Sequence, residues 1–154
     1  MYDVFMNVTL TKAPRAGAKY SLESLLGVGS SDNLKLARRI ESGLSFDAML
    51  RVSKMTGLSL EDLRVAVRIA PRTMSRRRIE KRLSPEESDR LVSISRLLAL
   101  TFELFEGDAD GGLKWFTEPN RALGGMAPIE AAATEAGSRE VENLIGRLEY
   151  GVYS

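Results

Sequence analysis

The residues with the most chemical content lie between Arg64 and Arg82, where eight Lys or Arg stand against a single acid, Glu80. Guanidinium groups at this density suit nucleic acid, since Arg can bond guanine bidentately and both basic types neutralise phosphate. A solvated basic face on a surface helix is the plainer alternative. Placement favours nucleic acid. Ser59, with Asp62 three residues on, forms a helix-start signature, in which a hydroxyl and a carboxylate serve free backbone N–H groups. Leu60, Leu63 and Val67 follow as one apolar stripe. Pro71 is expected to stop that helix, because the residue before a proline avoids the αR region. Thr73 is expected to cap a second helix, running to about Arg82. Helix, short turn, helix is the outline of a helix-turn-helix, whose second helix enters the major groove. The DNA contacts expected are Arg72, Thr73, Ser75, Arg76, Arg77, Arg78 and Lys81. Arg76 and Arg77 are expected to reach base edges, with Arg72, Arg78 and Lys81 on phosphates.

The remaining composition is chiefly exclusive. The 154 residues contain no cysteine and no histidine, which removes thiolate chemistry, zinc–sulfur sites and the commonest general base. No catalytic residue, metal site or cofactor is assigned, and an enzyme is not expected. Net charge is +1, but it hides an asymmetry. Residues 1–82 carry sixteen basic and eight acidic side chains, whereas residues 83–154 carry six and thirteen. Such a split suggests one half for nucleic acid and another for a different partner. No apolar run approaches the ~20 residues of a membrane span. Asp3 and the lack of a basic leading stretch argue against a signal peptide, so a cytoplasmic protein is expected.

The elements that must position these residues read as helices. Residues 1–20 suggest a short strand or arm followed by loop. Ser21 to Leu26 suggests a short helix closed by Gly27. Ser31 or Asp32 can cap a helix running to about Ser42, with Leu36 and Ile40 inward and Gly43 as its stop. Ser45 starts another, with Phe46, Met49 and Leu50 on one face and Gly57 at its end. Ser84-Pro85-Glu86-Glu87 is the clearest helix start, combining a capping box with proline at the first helical position. That helix is expected to reach Glu106. Its Leu91, Ile94, Leu97, Leu98, Phe102, Leu104 and Phe105 cover a wide arc, fit for a central spine or for a spine that also forms a dimer seam. Asp110 to Thr117 carries Trp115 and Phe116. Ala127-Pro128 opens a helix expected to end at Gly137, and Ser138 is expected to cap a last one bearing Val141, Leu144, Ile145 and Leu148. The class is all-α. The segments expected are 1–43, an arm and leading helices; 44–107, the helix-turn-helix region with a long connecting helix; and 108–154, a small helical domain.

Two blocks make the chain from about Leu44 onward recognisable. One is APRTMSRRRIEKRLSPEESDRLVSISRLLALTFELF, Ala70 to Phe105. The other is WFTEPNRALGGMAPIEAAATEAGSREVENLIGRLEYGVYS, Trp115 to Ser154. In this order and spacing they resemble the Xre/MbcA/ParS-type antitoxins, partners of RES-domain toxins. Gly111-Gly112 departs from the helix former such as Ala expected before the tryptophan and leaves the start of that helix open. The resemblance implies a helix-turn-helix DNA-binding domain, a long helix and a C-terminal toxin-binding domain. It also implies neutralisation of a cognate NAD⁺-consuming RES toxin and repression of the shared operon through operator DNA. The toxin-binding residues it suggests are Trp115, Asn120, Arg147, Tyr150, Gly151, Val152, Tyr153 and Ser154; the last five read either as a tail entering the toxin's NAD⁺ pocket or as one whose Tyr150 and Val152 fold back on the protein's own core. Helix-turn-helix proteins commonly pair to read half-sites ~34 Å apart, so a homodimer is expected. The alternatives are a one-component regulator whose C-terminal half senses a ligand and dimerises, and an interaction protein whose helix-turn-helix no longer binds DNA.

Overall fold

The computed structural model describes residues 19–29 and 32–151, all-α apart from a single isolated bridge. The arm expected before Lys19, Ser31 as a cap, and Val152, Tyr153 and Ser154 lie outside the described residues. In chain order the helices are α1 Leu22–Leu26, α2 Asn33–Ser42, α3 Phe46–Thr56, α4 Leu60–Val67, α5 Pro71–Glu80, α6 Pro85–Leu104, α7 Ala109–Thr117, α8 Pro128–Ala131 and α9 Glu135–Glu149. A single 3₁₀ turn, Arg121–Leu123, lies between α7 and α8. No helix among the described residues is long and apolar enough to cross a membrane.

Helix α6 is the spine. It packs against α1, α2, α3, α4, α7 and α9. Contact on so many sides accounts for its wide apolar arc: Leu91, Ile94, Leu97, Leu98, Phe102 and Leu104 are buried within the one chain, as is Phe105 just beyond its end. Val141, Leu144 and Ile145 of α9 are buried as well, against the same spine. The surplus apolar surface expected to supply dimer seams is therefore consumed inside the monomer. One core cluster runs from Leu25 to Ile145 and joins all three expected segments.

Local signals place most helix starts. Ser45 Oγ accepts from Asp47 N and Ser59 Oγ from Asp62 N, while Asp32 caps α2 through Leu34 N. At α6 the capping box is complete: Ser84 Oγ accepts from Glu87 N at 3.1 Å, and Glu87 Oε1 accepts from Ser84 N at 2.8 Å. That helix ends at Leu104, two residues short of the expected Glu106, as chain-end fraying allows.

Five local expectations are corrected. Pro71 does not stop α4; it opens α5, where its missing N–H costs nothing and its fixed φ suits the first turn. Helix α4 has already ended at Arg68, a left-handed residue at φ 63°, where Arg64 Nη1 donates to Ile69 O and steadies the reversal. Thr73 therefore lies inside the first turn of α5 rather than capping it, and the N-cap is Ala70. On α3, Leu50 faces solvent and Val52 takes the buried position. Gly137 does not end a helix. It sits in the first turn of α9, capped by Thr134, because a Cβ there would lie 1.7 Å from Ala131 O. Ser138 is thus within α9, and its hydroxyl meets that of Ser93 on α6 at 3.0 Å.

Gly111 and Gly112 do not prevent α7 from forming. Asp108 caps it through Gly111 N, and Gly112 faces Phe102 of α6 so closely that a Cβ would stand 2.7 Å from the ring. The glycine pair lets two helices approach, at the usual entropic cost of glycine in a helix.

Candidate functional site

Helix α5 is held at its C-terminal end and along its middle. At its C-terminal end Phe46 N donates to Lys81 O at 3.1 Å and Leu83 N donates to Leu44 O at 2.9 Å, an antiparallel clip to the start of α3. Arg82 reinforces the clip, its Nη1 donating to Ser42 O and Gly43 O at 2.9 Å each. Gly43 is obligatory there: φ is 86° and a Cβ would meet Leu83 O at 2.3 Å. Midway along α5, Met74 is buried and Arg77 reaches Glu87 of α6. A short helix presenting charge to a ligand needs this support, because its own side chains bury little.

The anchors sort the cations between Arg64 and Arg82. Arg64 pairs with Glu61 and bonds Ile69 O. Arg77 donates Nε to Glu87 Oε1 at 2.7 Å and Nη2 to Oε2 at 3.2 Å, and adds Glu80 at 3.1 Å. Arg78 stands over the Phe46 ring, 5.3 Å from its centroid. Arg82 is spent on the clip. Arg68, Arg72, Arg76 and Lys81 are exposed and make no ion pair among the described residues. The outward stripe of α5 is thus Arg72, Ser75, Arg76 and Ile79, at i, i+3, i+4 and i+7. The helix's only acid, Glu80, is engaged by Arg77. Thr73 is half-buried.

The Arg77–Glu87 pair is electrostatically strong. Burial would raise the Glu87 carboxyl, but the Arg77 hydrogen bond, the Ser84 N–H and the neighbouring positive charge together outweigh it and hold the pKa below the usual value near 4.5. The Glu87 hydrogen bond is in turn the largest influence on Arg77 and raises its pKa further. Both groups are charged at neutral pH. Arg77 therefore ties α5 to α6, and Glu87 is the partner that local pattern could not reveal.

On α9, Glu142, Asn143, Gly146, Arg147 and Tyr150 line a shallow groove along the helix's outer face. Two of the residues suggested by resemblance, Arg147 and Tyr150, meet there. Two others do not line it. Trp115 is half-buried, its ring 6.2 Å from Phe105. Asn120 organises its own turn, Oδ1 accepting from Ala122 N at 2.9 Å while its N–H donates to Met126 O. Gly151 is exposed in a left-handed conformation after the helix. Glu142, Asn143 and Gly146 went unremarked in the sequence, although their spacing from Arg147 and Tyr150 places all five on one helical face.

Residues 35–96 match the family model described as the antitoxin Xre-like helix-turn-helix domain, and residues 100–151 match that of the antitoxin Xre/MbcA/ParS C-terminal toxin-binding domain. Among curated proteins, the chain is 33% identical over 130 residues to "Antitoxin Xre" of Yersinia enterocolitica, covering 84% of this chain and 88% of the relative. It is 31% identical over the same length and shares to the protein of that name from Photorhabdus laumondii. A third, from Pseudomonas putida, is 28% identical over 85 residues, about half of each chain.

Proposed function

Because the chain belongs to the Xre antitoxin family, we propose that it neutralises a RES-domain, NAD⁺-consuming toxin through its C-terminal domain and represses its own operon through α5. It acts as a binding protein, not as a catalyst. The observation that carries the proposal is the sorting of charge on α5. Its anchoring cations are spent on Glu87, Phe46 and backbone carbonyls, while Arg72 and Arg76 stand outward on a stripe without acid. A helix fixed in this way can enter the major groove without reordering its support. Arg72 and Arg76 read bases, and Lys81 holds phosphate.

The toxin docks on the outer face of α9, with Tyr150 as the aromatic anchor and Arg147 and Glu142 as its polar rim. Tyr150 is 63% exposed, a costly state for a ring unless a partner covers it. The acidic balance of residues 83–154 steers this half towards a basic cleft such as one that holds cofactor phosphates. Two copies pair on the operator through surfaces other than the buried faces of α6 and α9.

The test is co-expression with the neighbouring gene product. Co-purification, with loss of NAD⁺ consumption by that partner, supports the proposal. A neighbour without such activity, together with intact promoter binding, would favour a one-component regulator instead. Light scattering of the free protein gives the oligomer directly.

A further inference from the structure

Ile79 is 81% exposed, more than Leu34, Val65 or Tyr150. It occupies the outward stripe of α5 with Arg72, Ser75 and Arg76, close to where the helix is clipped to α3. Nothing in the fold accounts for an aliphatic side chain there. Its β-branch disfavours a helix slightly, and water gains nothing from it. A protein-docking patch would gather apolar neighbours and shed charge at its centre. On this stripe the neighbours are two arginines and a serine.

One surface matches that mixture. The major groove presents guanine O6 and N7 and phosphate to cations, and it also presents one apolar group, the C5-methyl of thymine. We propose that Ile79 is a specificity-determining residue that reads a thymine methyl in the operator. The inference rests on the DNA reading above and names one base that the stripe selects. Ile79 lies three residues beyond Arg76, about 4.5 Å along the helix, close to one base step of ~3.4 Å. The thymine is then a near neighbour of the base that Arg76 contacts.

The experiment uses the promoter fragment upstream of the gene, amplified once with dTTP and once with dUTP, which removes every thymine methyl but keeps the base pairing. The full-length protein and Ile79→Ala are titrated against both, with an unrelated fragment as control. Ile79 is exposed, and equal melting temperatures of the two proteins establish that the substitution leaves the fold intact. The wild type is expected to lose affinity on the uracil fragment by about four-fold per methyl read, the equilibrium weight of burying one such group. Ile79→Ala is expected to show that loss already on the thymine fragment and no further loss on uracil. Equal discrimination by both proteins, or none by the wild type, overturns the assignment to Ile79 while leaving DNA binding in place. Failure of the wild type to prefer the promoter over the unrelated fragment overturns the DNA reading, and this inference with it.

Discussion

Arg77 and Glu87 stand ten residues apart in sequence and meet through two hydrogen bonds, at 2.7 Å and 3.2 Å. The Glu87 oxygen nearer to Arg77 also accepts from Ser84 N at 2.8 Å. One carboxylate thus completes the capping box of the spine and fixes the helix that faces outward. Helix α6 begins two residues before this carboxylate and leads on to the segment that contains α9.

Acid stability should report this carboxylate. The folded pKa of Glu87 lies below its unfolded value, so its contribution is present above about pH 4.5 and is lost as the pH falls through the folded pKa. Chemical denaturation at pH 7 should show Glu87→Gln weaker by about 1.5–3 kcal/mol, the usual weight of a hydrogen bond to a charged group. At pH 3 the difference should shrink. A constant difference across that range would show that the carboxylate's charge is not what matters.

Arg76 and Arg77 are adjacent, yet their alanine variants should behave in opposite ways. Arg77→Ala should lower the melting temperature by removing the tie between α5 and α6. Arg76→Ala should leave melting unchanged and weaken promoter binding by about 1–3 kcal/mol, the cost of a lost base-reading arginine. Paired melting and gel-shift measurements check both. Unaltered promoter binding by Arg76→Ala would remove it from the reading surface.

Sequence pattern captured what is decided within a turn of chain. Ser59, Ser84 and Gly57 mark helix ends through bonds to residues three or four positions away, and those marks hold in the structure. It failed where the deciding atom lies elsewhere. Gly137 resembles a helix stop until Ala131 O is seen to fill the space of its Cβ. Gly112 resembles a breaker until the Phe102 ring does the same. Arg77 resembles its neighbours until Glu87 arrives from the next helix. The all-α class and the helix-turn-helix were therefore legible, whereas the division of cations into anchors and free groups was not. Of the C-terminal residues suggested by resemblance, Arg147 and Tyr150 share a face, but no spacing rule links Trp115 or Asn120 to that face.

Two of the helical glycines, Gly112 and Gly146, should respond to alanine with opposite signs. At Gly112 the new methyl would meet the Phe102 ring at 2.7 Å, an overpacking that costs about 1–3 kcal/mol. At Gly146 nothing among the described residues lies within 4 Å, so the substitution should stabilise the free chain by roughly 0.5–1 kcal/mol, the usual penalty of glycine in a helix interior. Thermal melting of the two variants checks the pair.

Gly146 also bears on the proposed toxin face. The glycine lies within α9, the helix tolerates that cost, and the Cβ position opens onto the groove formed with Glu142, Asn143, Arg147 and Tyr150. Glycine at such a place lets another backbone approach closely. If the toxin docks there, Gly146→Leu should keep the fold and promoter binding, since no residue of α5 lines that groove, but should weaken the toxin complex and release NAD⁺ consumption. Tyr150→Ala should act in the same direction by removing an exposed aromatic anchor, and hot-spot tyrosines of this kind often cost about 2 kcal/mol or more on truncation. Titration calorimetry against the purified toxin measures both variants. Full affinity in both would clear the outer face of α9 and move the contact to the surface around Trp115 or to the residues after Gly151.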